Sequence, residues 1–407
     1  METVTLDLTD MAHGGAAIGR DEQQRVIFVP LALPGERVRV EIVEDKGRYA
    51  HGRLVEILTA SPDRVEPRCP HFGPCGGCHF QHISYPRQLE LKGQIVRDQL
   101  ARIGRFVDPP VAPVLANPEP WDYSGELTLY PALEKGLGFW SPALAAVMPI
   151  ETCHLARPSL RDLLQDVDLE LPGLRKIQLR VGDDEALLVA LAVDGVEPPE
   201  LAADFPISAA IILPDDTAVN LIGDNFTLQS VKGRDFQVTA GCFFYPSPAA
   251  TALLVDTLLQ FARLKGQETV VELFSGVGGL TAFLAPAAGR VIGVELNPDA
   301  VADAAVNLED TENVSLFEGA AEEALPTISA AIDLLVVDPP LSGLSRELMG
   351  LIAGRQPPRL IYVSGDVATL ARDGRQLAAN GYHLTAVQPI DMTPHTYQIL
   401  TVSLWER

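Results

Sequence analysis

Three sets of side chains in this 407-residue chain have types and spacing that do chemistry. The first is Cys69-Pro70-His71-Phe72-Gly73-Pro74-Cys75-Gly76-Gly77-Cys78, a tight Pro- and Gly-rich loop that can turn three thiols inward. Cys153, in Ile150-Glu151-Thr152-Cys153-His154, can complete four sulfur ligands from afar, as an iron–sulfur cluster or a structural zinc requires. Zinc sites more often use two Cys-x2-Cys knuckles; one such pair is present, so the x5 gap followed by an x2 gap leans towards a [4Fe–4S] cluster. The second set is the glycine turn Phe274-Ser275-Gly276-Val277-Gly278-Gly279-Leu280, where backbone N–H groups and close main-chain approach can hold a nucleoside-bearing cofactor. The third is a pair of acids, Glu295 and Asp338, each at the end of an apolar run.

The elements that must position these groups follow from the apolar runs before them. Val270-Val271-Glu272-Leu273 reads as a buried strand feeding the glycine turn, and Val291-Ile292-Gly293-Val294 as a second strand that ends in Glu295. That acid lies about 20 residues beyond the turn, placed to accept from ribose hydroxyls. Asp333-Leu334-Leu335-Val336-Val337 is a third strand, ending in Asp338-Pro339-Pro340. A second acid at a later strand end fits S-adenosylmethionine better than NAD. Strands and helices alternate from Leu264 onward, which predicts a parallel doubly wound sheet.

Bulk properties bound the rest. Apolar content of 47% with 21% charged residues is that of a soluble globular chain of two or three domains. No run of about 18 apolar residues and no basic-then-apolar leader is present, so the expectation is a cytoplasmic protein without a membrane partner. A net charge of −23 argues against indiscriminate nucleic-acid binding. The charge is uneven: residues 1–110 carry 14 Lys and Arg against 15 Asp and Glu, a net of −1, and the remainder carries −22. RNA contact is therefore expected in the N-terminal quarter. Five cysteines, four of them grouped and Cys242 apart, are not a secreted disulfide framework.

Residues 1–58 read as a small β-barrel, with alternating runs at Thr3–Leu8, Arg25–Val29, Glu36–Glu44 and His51–Leu58. Arg37, Arg39, Lys46, Arg48 and Arg53 are its candidate phosphate contacts. Residues 59–241 read as a central α+β domain carrying the cysteine cluster. It has a helix over Pro86–Ile103 and strands at Ser124–Tyr130, Leu137–Trp140, Lys176–Arg180, Ala186–Val193 and Ala209–Ile212. Ser159–Leu164 reads as a short helix. Residues 242–407 form the cofactor domain, opened by a helix over Pro248–Leu264.

The phrases Gly14-Gly15, Gly19-Arg20, Ile27-Phe28-Val29-Pro30 and Leu33-Pro34-Gly35-Glu36 resemble a TRAM domain, an OB-like RNA-binding barrel. With the cysteine loop, the late Cys153 and a class I methyltransferase domain in this order, the chain resembles the bacterial RNA uracil-C5 methyltransferases of the iron–sulfur type. Asp338-Pro339-Pro340-Leu341-Ser342-Gly343, Tyr362-Val363-Ser364, Ala368-Thr369-Leu370-Ala371-Arg372-Asp373 and Asp391-Met392-Thr393-Pro394-His395-Thr396 carry the resemblance further. It implies a TRAM barrel, a central α+β domain with an iron–sulfur loop, and a C-terminal Rossmann-like α/β methyltransferase domain. It also implies S-adenosylmethionine and a [4Fe–4S] cluster as cofactors and structured RNA (ribosomal or transfer) as partner. The placement of the cysteines before the central domain leans towards a structural rather than a redox-active cluster, and a monomer is the default expectation. The cofactor residues carried over are Phe274, Gly276, Gly278, Gly279, Glu295, Ala320 and Asp338, with Asp338 by the methionine end. Tyr245, in Phe243-Phe244-Tyr245-Pro246, stands where members usually have Gln.

The resemblance breaks at the receiving side. Uracil C5 is a poor nucleophile, so a thiolate must add to C6 and a base must later remove the C5 proton. In the family the nucleophile sits in Ser-Cys-Asn-Pro; here the phrase is Ser364-Gly365-Asp366-Val367. Leu400 stands in the place of the basic Glu, and Leu341 in that of an Arg. Three readings follow: a non-catalytic RNA-binding paralogue, a methyltransferase aimed at a nitrogen and oriented by Asp338 and Asp366, or recruitment of Cys242 as nucleophile. Asp391 and His395 are expected near the site, either as hydrogen-bonding or proton-handling groups or, as is commoner, in a structural role bonding the nearby turn.

Overall fold

The computed structural model describes residues 2–133, 135–167, 171–194, 206–214 and 217–407. Five strands, β1 (Thr3–Met11), β2 (Ala17–Arg20), β3 (Val26–Val29), β4 (Arg37–Asp45) and β5 (Tyr49–Thr59), close a barrel in the order β1-β2-β3-β5-β4. Alternation drives them: Val38 and Val40 face inward while Arg37 and Arg39 face water. β2 has four residues after a glycine pair, too short for alternation to reveal it. The turn before β4 is locked by Glu36. Its buried carboxylate accepts from Leu33 N, Ser61 N and the Arg64 guanidinium.

The helix predicted over 86–103 is α1 (Tyr85–Arg102), with Pro86 in its first turn. It buries Leu91, Ile95, Val96 and Leu100 in one apolar cluster with the barrel core rather than with the central sheet. That central sheet has seven strands: β6 (Glu126–Pro131), β7 (Leu137–Ser141), β8 (Ala146–Pro149), β9 (Leu174–Val181), β10 (Leu187–Val193), β11 (Ser208–Ile212) and β12 (Ala218–Ile222). Their order is β12-β11-β10-β9-β6-β7-β8, and α2 (Pro158–Asp166) packs on β9. A hairpin, β13 (Phe226–Val231) and β14 (Arg234–Thr239), leads into α3 (Pro248–Ala262). Ser247 caps α3 by accepting from Ala250 N.

The C-terminal sheet comprises β15 (Thr269–Leu273), β16 (Arg290–Glu295), β17 (Val314–Glu318), β18 (Leu334–Val337), β19 (Arg359–Ser364), β20 (His383–Ile390) and β21 (Leu400–Glu406). The helices among them are α4 (Thr281–Leu284), α5 (Pro298–Asn307), α6 (Ala321–Thr327), α7 (Arg346–Arg355) and α8 (Val367–Ala379). The strand order is β17-β16-β15-β18-β19-β21-β20. The sheet is parallel from β17 to β19, but β21 runs antiparallel to both neighbours, a correction to the wholly parallel expectation. Order reverses between β15 and β18, so the ligand crevice of such a sheet opens at the C-terminal ends of those two strands.

The barrel core does not stop at the barrel. Leu6, Val38 and Val40 share one buried cluster with Leu91 and Ile95 of α1, Val367 and Ala371 of α8, and Val387 of β20. Among the described residues, no helix is long and apolar enough to cross a membrane.

Candidate cofactor site and its receiving side

At the crevice, Phe274 leaves β15 with φ +64 and Gly276 follows at φ +53, a left-handed bend with open space where a Cβ would stand. Gly276 N donates to Glu295 Oε2 at 2.9 Å, and Glu295 Oε1 accepts from Leu296 N and Asn297 N. The acid therefore braces the turn and keeps acceptor capacity for a hydroxyl. Gly319 N donates to the Glu295 carbonyl, which brings Ala320 beside it, and Leu296 stands 66% exposed there. Gly278 serves packing instead, since a Cβ on it would meet Leu308 Cδ1 at 2.9 Å.

Tyr245, Phe274, Gly276, Gly279 and Asp338 line one cavity, together with Glu272 and Ser275. Its volume is about 40 Å³. The Tyr245 hydroxyl donates to Asp338 Oδ2 across it. Burial pushes the Asp338 carboxyl up to about 7, partly offset by that bond. Burial likewise raises Glu272 to about 8, although Thr281 Oγ1 donates to it. The Ser275 hydroxyl is buried without a partner among the described residues, which leaves one polar group for a ligand to satisfy. The turn and Glu295 fit a nucleoside. The room at Asp338 does not fit an amino-acid arm while Tyr245 lies there.

The segment bearing Tyr245 is pinned from below by Arg180, which the sequence marks only as a strand residue. Its buried guanidinium donates to the carbonyls of Val238, Thr239 and Cys242 and pairs with Glu126. Cys242 itself is 2% exposed in the core, and burial raises its thiol well above the usual range. That is the wrong state for a nucleophile.

The receiving side lies beside Asp338, where Val337 of β18 pairs with Tyr362 of β19. Gly365 follows β19, and a Cβ on it would lie 2.8 Å from Leu341 Cδ2. The Leu341 side chain thus lies over Gly365. Leu400 opens β21, faces Ile390 and is buried in the core. Asp366 caps α8 through Thr369 N and contacts His13 Nε2 of the barrel at 3.2 Å. His13 holds its carboxyl below the usual range. Asp366 is therefore committed to junction and cap rather than free to orient a base.

Asp391 and His395 are taken up by structural bonds. Asp391 Oδ1 accepts from Lys92 Nζ at 2.5 Å, both fully buried. His395 stacks on Trp121 at 3.7 Å between ring centroids, and burial lowers its pKa to about 3. The His395 carbonyl accepts from His79 N and Phe80 N, so this segment seats the cysteine loop.

Cys69, Cys75, Cys78 and Cys153 line a second cavity of about 180 Å³, walled by Phe72, Phe139 and Ile150. All four are free, and burial, with the other three sulfurs adding to it, pushes the Cys78 thiol up to about 12. Among the described residues no three His, Cys, Asp or Glu side chains converge as a single metal ion requires. Gly76 is obligatory in the loop, because a Cβ would stand 2.8 Å from the Trp140 carbonyl oxygen. The donor set and the roomy apolar cavity fit a polynuclear cluster.

A glycine turn and a strand-end acid at the switch point of a mostly parallel sheet define a Rossmann-like nucleoside-cofactor domain, here fused to a closed barrel. Residues 1–55 match the TRAM domain family, and residues 221–404 match the tRNA (uracil-5-)-methyltransferase family. An uncharacterized RNA methyltransferase of Halalkalibacterium halodurans is 33% identical over 100% of this chain and 97% of its own. One from Thermosynechococcus vestitus is 34% identical over 99% and 97%. The chain belongs to the uracil-5 family of S-adenosylmethionine-dependent RNA methyltransferases. The Pyrococcus abyssi tRNA (uracil-54, C5)-methyltransferase, solved with S-adenosyl-L-homocysteine, aligns over 99% of this chain and 100% of its own with a TM-score of 0.75. At 22% identity that likeness is one of fold.

Proposed function

We propose that this protein binds structured RNA, ribosomal or transfer, as a member of its family that does not run thiol-assisted methylation of uracil C5. The carrying observation is Gly365 beneath Leu341, with Leu400 sealed in the core. Nucleophile, arginine and base are replaced by a glycine and two leucines, which have no group that can react, and glycine cannot stand in for a thiolate. The commitment of Asp366 to α8 and His13 weighs against retargeting to a nitrogen, and the buried thiol weighs against Cys242.

In this reading residues 1–58 grip RNA, 59–241 carry the cluster and 242–407 hold the nucleoside cofactor, in a cytoplasmic monomer. On the barrel, Arg39 pairs with Glu56 and Lys46 with Glu44 on exposed ground. Such pairs are weak, so phosphates can replace the acids. Glu295 and Gly276 would hold the ribose end of S-adenosylmethionine, which supplies a methyl cation equivalent when bound. A [4Fe–4S] cluster on the four cysteines would brace the loop against residues 393–396. RNA from a strain lacking the gene, incubated with labelled S-adenosylmethionine and this protein, is expected to gain no 5-methyluridine where a cysteine-bearing relative labels it. The same RNA is expected to bind with an affinity that falls with salt. Labelled 5-methyluridine, or salt-insensitive binding, would refute the proposal.

A further inference from the structure

The cavity at the glycine turn is too small for what surrounds it. Small-molecule sites run to about 300–1,000 Å³, against about 40 Å³ between Tyr245, Phe274 and Asp338. The Tyr245 side chain takes part of that room, and its hydroxyl reaches the Asp338 carboxyl. We propose that Tyr245 is the specificity-determining residue of this site. Its phenol occupies the place on Asp338 that the cationic amino-acid end of a nucleoside cofactor needs, so the site disfavours ligands carrying that arm.

Of the three carboxyl groups here, two are held by parts that cannot leave. Glu295 accepts from three backbone N–H groups, and Glu272 is bonded by Thr281 at the start of α4. Asp338 alone is held by a side chain on a segment outside any helix or strand. That segment is tethered on both sides, by Arg180 at the Cys242 carbonyl and by Asn117 Nδ2 donating to Ser247 Oγ at 3.0 Å. Tyr245 must therefore yield by turning its ring, not by moving its backbone. The adjoining Phe243 ring, edge-on at 5.2 Å and 66% exposed, leaves solvent on that side for the turn. A nucleoside thioether without the amino-acid arm has no quarrel with this bond, because the Glu295 side of the turn lies outside the cavity. The inference rests on reading this crevice as the cofactor site, and it holds whether or not a methyl group is ever transferred.

The test is calorimetry with S-adenosylmethionine and with 5′-methylthioadenosine on the full chain, on Tyr245→Phe and on Tyr245→Gln. A hydrogen bond to a carboxylate that must be broken on binding weakens it about ten-fold, so Tyr245→Phe should bind S-adenosylmethionine about ten-fold tighter and 5′-methylthioadenosine within about two-fold of the parent. Tyr245→Gln, which also frees the ring's space, should gain at least as much for S-adenosylmethionine. If one variant fails to fold, the other decides. Unchanged or weaker S-adenosylmethionine binding, or an equal gain for both ligands, would overturn the role of Tyr245. Binding of neither ligand by any of the three proteins would overturn the cofactor site itself.

Discussion

Replacing Lys92 by Met should unseat the cysteine loop without touching a cysteine. Lys92 on α1 and Asp391 after β20 are both 0% exposed, and Nζ also donates to the Thr393 carbonyl at 3.3 Å. The second oxygen of Asp391 is already buried without a hydrogen-bond partner among the described residues, so removing Lys92 leaves the carboxylate without a cation and with only the Tyr85 hydroxyl nearby. Breaking one side of a buried pair costs about 3–5 kcal/mol, against a total stability of about 5–15 kcal/mol for a domain. Replacing both partners by apolar residues should recover most of that, to within about 1–2 kcal/mol of the parent. Urea titration followed by tryptophan fluorescence is suited to the question, because Trp121 stacks on His395, four residues from Asp391. A cost below about 1 kcal/mol for Lys92→Met would refute this account of the junction. So would a Lys92→Met/Asp391→Leu double variant no more stable than the single one.

The remaining predictions concern the two cavities. Asp338 is held near 7 against an ordinary 3.8, so the folded state keeps a proton that the unfolded state has lost, and stability falls as pH rises from about 4 through 7. The full shift corresponds to at most roughly 4 kcal/mol, and Asp338→Asn should flatten that part of a stability–pH profile; an unchanged slope would refute the burial argument. Gly365→Cys should fold, because only the flexible tip of Leu341 must shift, yet mass spectrometry of treated RNA should find no 5-methyluridine while Leu400 remains. Cys75→Ser should lose the cluster: about four irons per chain in the anaerobically prepared parent, and few in the variant, is the expected outcome. Zinc in place of iron in the parent would refute the cluster. Arg180→Met should loosen the Tyr245 segment by stripping donors from three buried carbonyls, measured as faster amide exchange over residues 238–246.

Much of the frame was legible because it rests on local patterns. Alternation located four of five barrel strands, and continuous apolar runs located β15, β16 and β18 with their terminal acids. The glycine turn and the cysteine loop declared themselves by spacing. What stayed hidden depended on partners distant in sequence. α1 carried an apolar stripe, but nothing local told that it would pack on the barrel and α8. β21 inserts antiparallel between β19 and β20, a choice made by pairing rather than by its own residues. That Gly365 and Leu341 are neighbours follows only from β18 lying beside β19. His13 and Asp366 are 353 positions apart and meet only through the barrel's docking. Asp391 and His395 take the structural role expected as their commoner fate, but their partners Lys92 and Trp121 lie far off in sequence and could not be named from it.

The continuous core running from the barrel through α1 to α8 has a consequence for inheritance and for engineering. A barrel that shares Leu91, Val367 and Ala371 as its own floor is not a detachable module. Cutting it away would strip the cover from α1 and α8 together, so a truncated chain would report on collapse rather than on lost RNA affinity. Exchanging barrels between relatives would require the matching faces of both helices to travel with the graft. The barrel core and the faces of α1 and α8 that floor it are therefore bound to change together.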